Sequence, residues 1–146
     1  MQLSFQQRSV DLLQKFSQLL TWEDKYKKII ELGRALEPMD ATLKTEDNLV
    51  KGCQSQVWLW ATLTPEGKVK MSGDSDALIV KGLVAILMQI YSNSTPQEIL
   101  QNPPNFIGEL GFKENLSQSR ANGLYSMIKQ IRNYALAFDY ILKSKV

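Results

Sequence analysis

The sequence contains no histidine and only one cysteine, Cys53. The missing imidazole excludes Cys-His and Ser-His catalysis, because both mechanisms use a histidine as the base. A single cysteine without histidine also excludes a zinc finger and a self-sufficient iron–sulfur scaffold, since each needs several such ligands. Neither GxxxxGK[ST] nor GxGxxG occurs, so a nucleotide-binding loop has no support. Cys53 is therefore the main candidate for chemistry, and it lacks an internal base.

Strong charge and long hydrophobic runs are also missing. The formal net charge is +2 with the signs interleaved, so we expect no nucleic-acid partner. The longest apolar run, LVAILM, is far shorter than the roughly 20 residues of a membrane span. MQLSFQQRSVDLL is broken by charge, which is not typical of a signal peptide. We expect a cytoplasmic protein without membrane contact, folded as a single domain over residues 1–146.

Two segments combine β-forming residues with the alternation typical of strands. They are QVWLWATL and KVKMSG, and the turn signal TPEG between them predicts an antiparallel hairpin. Asn48–Lys51 is a candidate third strand. Trp58 and Trp60 fall on one face of the first strand, and we expect that face to pack on the core.

Helical patterns precede and follow the hairpin, so the sequence predicts an α+β fold with helices packed on a small antiparallel sheet. The first pattern places Val10 and Leu20 on its apolar face with three other residues. Asp74 and Asp76 are interpreted as cap residues of the central helix rather than as a catalytic pair, with Ser75 or Asp76 as the cap itself. The predicted helices cover residues 5–20, 22–37, 77–91, 95–102 and about 117–143, with a short segment at 106–110.

The surroundings of Cys53 are those of a loop. Gly52 precedes it and Gln-Ser-Gln follows, in a polar segment just before the first strand. Lys51 is adjacent, but a solvated lysine activates a thiol only weakly. Even without a base, a thiol can attack an electrophilic sulfur that another protein presents. The product would persist as a persulfide, because the chain has no second cysteine to resolve it. That pattern is typical of a sulfur carrier.

Two other interpretations stay open at this point. Cys53 can be a small packed hydrophobe in an adaptor protein, which is a common role of a free cysteine. A one-cysteine peroxide-reducing enzyme is the other alternative, but it needs a base or an arginine-rich pocket to form the thiolate.

Several separated motifs resemble the SufE family of sulfur-acceptor proteins. They are TWEDKY at 21–26, GCQSQVWL at 52–59, GDSDA at 73–77 with VKGL at 80–83, and LSQSRANGL at 116–124. Gln-Ser-Gln after the cysteine resembles the SufE branch more than the CsdE branch. The resemblance implies the α+β fold of IscU-type scaffolds, a cysteine that accepts persulfide sulfur from a SufS-type cysteine desulfurase, stimulation of that enzyme, and transfer to a SufBCD-type scaffold.

The resemblance also implies roles for particular residues. Cys53 matches the sulfur acceptor, and Asp76 and Arg120 match positions associated with the desulfurase interaction and the environment of the loop. Arg120 lies near a helix start, where the dipole disfavours it, so we expect a partner for it, either an acid near the GDSD turn or one on the desulfurase. The remaining site candidates are Gln54, Ser55 and Gln56, which can hydrogen-bond a persulfide or the loop backbone, and Asp74.

The resemblance places the cofactor on the partner. Pyridoxal phosphate belongs to the desulfurase, so we expect neither a cofactor nor a metal in this chain. The Cys53 loop is expected to be partly buried in the free protein and to swing outward when the desulfurase docks. The sequence leaves the oligomeric state open, a homodimer included.

Overall fold

The structure, a computed structural model, describes residues 4–144. It confirms the predicted α+β class, with helices packed on an antiparallel hairpin. The helices are α1 (Phe5–Ser17), α2 (Trp22–Arg34), α3 (Leu78–Tyr91), α4 (Pro96–Gln101), α5 (Phe106–Glu109), α6 (Phe112–Asn115) and α7 (Gln118–Ser144), and the strands are β1 (Val57–Leu63) and β2 (Val69–Ser75). Two 3-10 turns, Ala41–Leu43 and Glu46–Asn48, lie between α2 and β1.

The hairpin pairs β1 with β2 in antiparallel register, with Val57 opposite Ser75 at its open end. Within residues 4–144 the sheet has these two strands only. The predicted third strand is wrong, because Leu49 makes a single isolated bridge to Trp58. The Val50 N–H donates to the Val57 carbonyl at 2.8 Å, which ties the segment before Cys53 to the start of β1.

The core lies beneath the opposite face of β1 from the one that the sequence suggested. Val57, Leu59 and Ala61 are buried, whereas Trp58 and Trp60 remain half exposed on the outer face. The space under the sheet is narrow, as a Cβ added at Gly73 of β2 would lie 2.7 Å from a Val84 side-chain carbon of α3. The Leu59 and Val84 side chains already fill that gap, so the predicted packing of the tryptophans on the core is wrong.

Helix α3 is the central element, since most of its length is buried. It packs backbone to backbone on α2 through Gly33 and Gly82. A Cβ on Gly82 would lie 2.2 Å from the Ile29 carbonyl oxygen, and one on Gly33 would lie 2.8 Å from the Gly82 nitrogen. Real Cβ atoms do not approach so closely, so both positions require glycine.

Several predicted helix ends are confirmed. Thr21 Oγ1 accepts the Asp24 N–H at 3.1 Å and begins α2. Thr95 and Glu98 form a reciprocal capping box with Pro96 in the first turn of α4. At α7 the Ser117 hydroxyl accepts the N–H of residue 120 at 3.3 Å, at the predicted start of that helix.

Other local predictions are wrong. β2 runs through Ser75, so the N-cap of α3 is Ala77, which has no side-chain capping bond. Asp76 therefore does not cap α3; its carboxylate accepts a backbone N–H from the Cys53 loop instead. On α1 the buried residues include Leu12 and Phe16, while Val10 is 45% exposed and Leu20, in the loop that follows, is 92% exposed.

Candidate functional site

The Cys53 loop, residues 51–56, lies against α7 just before β1 begins. Gly52 has a φ of +91°, which L side chains rarely adopt, and a Cβ there would lie 2.6 Å from the Ser126 Oγ of α7. Glycine is therefore required at residue 52 both for the turn and for the close approach. The loop tip is seated on α7 as a result.

The Cys53 thiol is half-buried in a small notch on α7. Its S–H donates to the Gly123 carbonyl at an S···O distance of 3.6 Å. A Cβ on Gly123 would lie 3.5 Å from Sγ, an ordinary van der Waals contact, so the sulfur packs directly against the α7 backbone. Burial raises the pKa of the Cys53 thiol above its ordinary value. In this position the cysteine is predominantly a neutral thiol near pH 7.

Cys53 opens onto a cavity of about 490 Å³. The first turn of α3 and the start of α7 form two of its walls, and the N-terminal ends of helices favour negative charge. Among the described residues that line the cavity, Arg120 carries the one formal charge, and neither an aspartate nor a glutamate is present to act as a base. The lining consists of Cys53, Gln54, Ser55, Ala77, Leu78, Ile79, Val80, Ser117, Ser119, Arg120, Gly123 and Met127.

Arg120 finds its partner on α2 rather than in the GDSD turn. Its Nη1 donates to the Tyr26 hydroxyl at 3.2 Å, and its guanidinium carbon lies 5.9 Å from the centre of the Tyr26 ring. The acid of the turn that is buried, Asp74, is bound by two lysines instead. Within the described residues, the prediction of an acid partner near that turn is therefore wrong.

Asp76 joins the end of the Cys53 loop to the start of α3. Its Oδ1 accepts the Gln56 N–H at 3.0 Å, and its own N–H donates to the Gln56 carbonyl at 3.2 Å. These two bonds extend the hairpin pairing by one residue pair beyond Val57 and Ser75. One bond uses the Asp76 carboxylate and the other uses only backbone atoms. The aspartate side chain therefore adds a second hydrogen bond to the one that the backbone makes between the loop and the start of α3.

Asp74 is buried at the end of β2 and is not among the residues that line the cavity. Lys44 lies 2.5 Å from one carboxylate oxygen, Lys81 lies 3.5 Å from the other, and the Ser75 N–H donates at 2.8 Å. Burial alone would raise the pKa of Asp74, but these donors and positive charges together hold it below its ordinary value. The Lys44 ammonium also lies 5.7 Å from the centre of the Trp58 ring, so the cluster ties the 3-10 turns to the sheet.

The structure thus divides the predicted site residues into two groups. Cys53, Gln54, Ser55 and Arg120 share the cavity. The other three, Gln56, Asp74 and Asp76, lie outside the lining. Gln56 and Asp76 are hydrogen-bonded to each other, and Asp74 is bound by Lys44 and Lys81.

Sequence reasoning missed three residues that shape the site. They are Tyr26, Gly123 and Ser126. Tyr26 and Gly123 stand inside the quoted motifs TWEDKY and LSQSRANGL, so position in those motifs was the available signal. Ser126 lies three residues after Gly123 on α7, just beyond the end of LSQSRANGL, so none of the quoted motifs contains it.

Comparison with known families matches residues 10–135 to SufE, described as an Fe-S metabolism associated domain. The chain belongs to the SufE family. The match contains the loop, both strands and the part of α7 that carries Arg120 and Gly123, so every residue of the cavity falls within the SufE domain. Membership associates the protein with iron–sulfur metabolism.

A solved structure supports the same fold for the SufE-family chain. It is the solution structure of a hypothetical protein from Thermus thermophilus, with a TM-score of 0.74 and 21% identity, covering 90% of this chain and 95% of the other. Identity at that level shows a common fold and no more.

Two further findings concern residues 4–144. No helix in this range is long and apolar enough to cross a membrane. In the same part of the chain, no three histidine, cysteine, aspartate or glutamate side chains are grouped as metal ligands would be.

Proposed function

We propose that this SufE-family protein accepts one sulfur atom on Cys53 from the persulfide of a SufS-type cysteine desulfurase and delivers it to a SufBCD-type assembly scaffold. The observation that carries the proposal is the position of the thiol. Cys53 is half-buried at the wall of a cavity that holds a cationic side chain and no acid among its described lining residues. Such a site can hold an added sulfur, but it lacks the base that independent catalysis needs.

The transfer is balanced without an oxidant. The Cys53 thiolate attacks the outer sulfur of the donor persulfide, a new S–S bond forms on Cys53, and the S–S bond of the donor breaks. The donor cysteine leaves as a thiolate and takes up the proton that Cys53 has lost. Because one disulfide-type bond replaces another, no net oxidation or reduction occurs.

The cavity suits the product better than the starting thiol. The outer sulfur of a persulfide is anionic near neutral pH, and two helix N-termini and Arg120 border the space beside Cys53. A volume of about 490 Å³ accommodates one extra sulfur atom with room to spare. Gln54 and Ser55, which also line the space, supply polar groups for that sulfur or for the loop backbone.

Transfer itself requires the loop to open. In the closed loop the S–H is bound to Gly123 and burial keeps the pKa of Cys53 high, so the thiol is a poor nucleophile where it lies. We propose that docking of the desulfurase breaks the Gln56–Asp76 closure and swings Cys53 outward to the donor. Exposed Leu78, 51% accessible at the rim of the cavity, provides apolar surface for that contact.

In this proposal the protein also speeds the desulfurase, because removal of sulfur from the donor cysteine frees that enzyme for its next turnover. Pyridoxal phosphate remains with the desulfurase, and no cofactor or metal is assigned to this chain.

The decisive experiment uses a SufS-type desulfurase, free cysteine and the intact protein. Wild type should gain the mass of one sulfur atom, removable by a reducing agent, and should accelerate desulfurase turnover. Cys53→Ser should gain no mass and should lose the acceleration, since Cys53 is the only thiol in the chain. Gln56→Ala is the matched control, as it changes an exposed side chain of the same loop outside the cavity lining and keeps both the thiol and the backbone groups that bond to Asp76.

The alternatives give different results in that assay. Full acceleration by Cys53→Ser would show that the protein is an adaptor with a structural cysteine. A peroxide-reducing enzyme would instead form a sulfenic acid rapidly at low peroxide, which requires a lowered thiol pKa. Burial raises the pKa of Cys53, and this favours the carrier over the peroxidase.

A further inference from the structure

Tyr26 lies at the end of a row of aromatic rings that runs from the core to Arg120. Phe16 and Phe112 are buried and meet edge to face, with ring centres 6.3 Å apart. Trp22 packs edge to face on Phe112 at 5.9 Å and on Tyr26 at 5.1 Å. Each contact restricts the next ring, so the position of the Tyr26 ring is fixed by residues that have no access to the cavity.

The far end of the row holds Arg120. The Tyr26 hydroxyl accepts a hydrogen bond from Nη1 at 3.2 Å, and the guanidinium lies 5.9 Å from the ring centre. An arginine side chain in water has many rotamers, and fixing it costs conformational entropy. Contacts from a rigid ring and its hydroxyl reduce the number of those rotamers before any ligand arrives.

We propose that Tyr26 is a positioning residue, which holds the Arg120 guanidinium at the wall of the Cys53 cavity so that it faces the charge of a sulfur loaded on Cys53. The inference rests on the proposed function, because it assigns Arg120 to the loaded form. It adds an element to the site, since α2 contributes none of the residues that line the cavity.

The test loads the sulfur chemically, without a desulfurase. With sodium polysulfide, the Cys53 thiolate takes one sulfur from an S–S bond and releases a polysulfide that is one sulfur shorter. Loading is checked by intact mass, and the rate of alkylation of the outer sulfur by iodoacetamide is then followed against pH. The midpoint of that curve reports how strongly the site stabilises the persulfide anion.

Tyr26→Phe keeps the ring and removes the hydroxyl. We expect the midpoint to rise by roughly half a pH unit, because a less constrained guanidinium stabilises the anion less. Arg120→Ala should raise it by about one unit, and Tyr26→Phe should add nothing in that background. Arg120→Lys, which leaves α2 untouched, should also raise the midpoint and provides a second route if Tyr26→Phe folds poorly.

The matched control is Tyr134→Phe. The Tyr134 hydroxyl also makes a 3.2 Å hydrogen bond, to the Leu59 carbonyl, but Tyr134 does not line the cavity. Both tyrosine variants should lower the melting temperature by a similar small amount, and only Tyr26→Phe should move the midpoint. Lys51, Asp76 and Lys81, the charged residues of the loop and of the α3 start, are unchanged in every variant.

Two results would overturn the inference. One is an equal shift in Tyr134→Phe, and the other is an undiminished shift of Tyr26→Phe in the Arg120→Ala background. Failure of the desulfurase to load Cys53, with normal polysulfide loading and the expected shifts, would contradict the proposed function and leave the role of Tyr26 supported.

Discussion

Two regions of the molecule are stabilised by different kinds of interaction. One is the seam, the contact of α2 with α3 at Gly33 and Gly82, and the other is the attachment of the Cys53 loop. At the seam, backbone meets backbone: a Cβ on Gly82 would lie 2.2 Å from the Ile29 carbonyl oxygen. The loop approaches α7 closely at Gly52 and is otherwise fastened by polar contacts, namely the bond of the thiol to Gly123 and the two bonds between Asp76 and Gln56. Close packing resists deformation, whereas each polar contact contributes only about 1 kcal/mol. The loop is thus attached mainly by polar contacts to a frame that is held by close packing.

The largest effect should come from breaking the frame. Gly82→Ala adds a Cβ atom that would lie 2.2 Å from the Ile29 carbonyl oxygen. Because that distance is too short, α2 must move away from α3. We expect a loss of about 3–5 kcal/mol in the free energy of unfolding, measured by urea denaturation. Gly82 is buried in the second turn of α3, and the atom nearest to the added methyl group belongs to the α2 backbone, which cannot rotate away.

Gly108→Ala is the control for that substitution. Gly108 also lies in a helix, but no atom lies within 4 Å of a Cβ placed there. The same change should be neutral or raise the free energy of unfolding by up to about 1 kcal/mol, because alanine is the better helix former. Equal losses at the two glycines would show that the seam is not held by close packing.

An intermediate effect is expected at the lysine cluster, which joins the frame to the loop region. Asp74→Asn removes the charge that Lys44 and Lys81 share at the end of β2. The variant should lose about 2 kcal/mol in the free energy of unfolding at pH 7. Because the pKa of Asp74 is lowered in the folded protein, its contribution is present above the unfolded pKa and disappears as the pH falls through the folded value. Wild type and variant should therefore converge in acid.

Asp139→Asn gives the comparison for a partly exposed ion pair. Asp139 lies 2.9 Å from Lys143 one turn along α7, and the lysine side chain is 66% exposed while that of the aspartate is 18% exposed. The expected loss is below about 0.5 kcal/mol. A similar loss in both variants, or a difference that persists at low pH, would contradict the role given to Asp74.

Local features of the frame were readable from the sequence, because their causes lie within a few residues. Thr95, Pro96 and Glu98 specify their own capping box, and the alternation in QVWLWATL specifies a strand. The choice of its buried face depended on how closely α3 approaches, which no strand pattern contains.

The site divides in the same way. Cys53 could be predicted as a site residue because it is a cysteine in a polar loop. Tyr26 could not be predicted as the partner of Arg120, because the two residues are 94 positions apart in the chain. The same holds for the notch at Gly123, 70 residues from Cys53. Contacts over such separations depend on how α2 and α7 pack. A sequence motif can therefore indicate that these residues belong to the site, but it does not predict which residues they contact.

The smallest effect on stability should come from the loop, with the clearest effect on reactivity. Asp76→Ala removes the carboxylate that accepts the Gln56 N–H at 3.0 Å and leaves the backbone bond between the two residues. Loss of about 1 kcal/mol in the closed loop corresponds to a roughly fivefold larger open population. Alkylation of Cys53 by iodoacetamide should therefore accelerate about fivefold, with a melting temperature close to that of wild type.

Asp76→Asn separates the hydrogen bond from the charge. Asparagine keeps an oxygen that can accept the Gln56 N–H, so its alkylation rate should stay near that of wild type. Burial raises the pKa of the closed Cys53 thiol, so the rate-against-pH curve of wild type should lie at higher pH than that of a free cysteine, and the alanine variant should move it back toward the ordinary value. If Asp76→Ala alkylates no faster than Asp76→Asn, the loop is held by the seat on α7 rather than by Asp76, and the contrast between frame and loop is weaker than these contacts indicate.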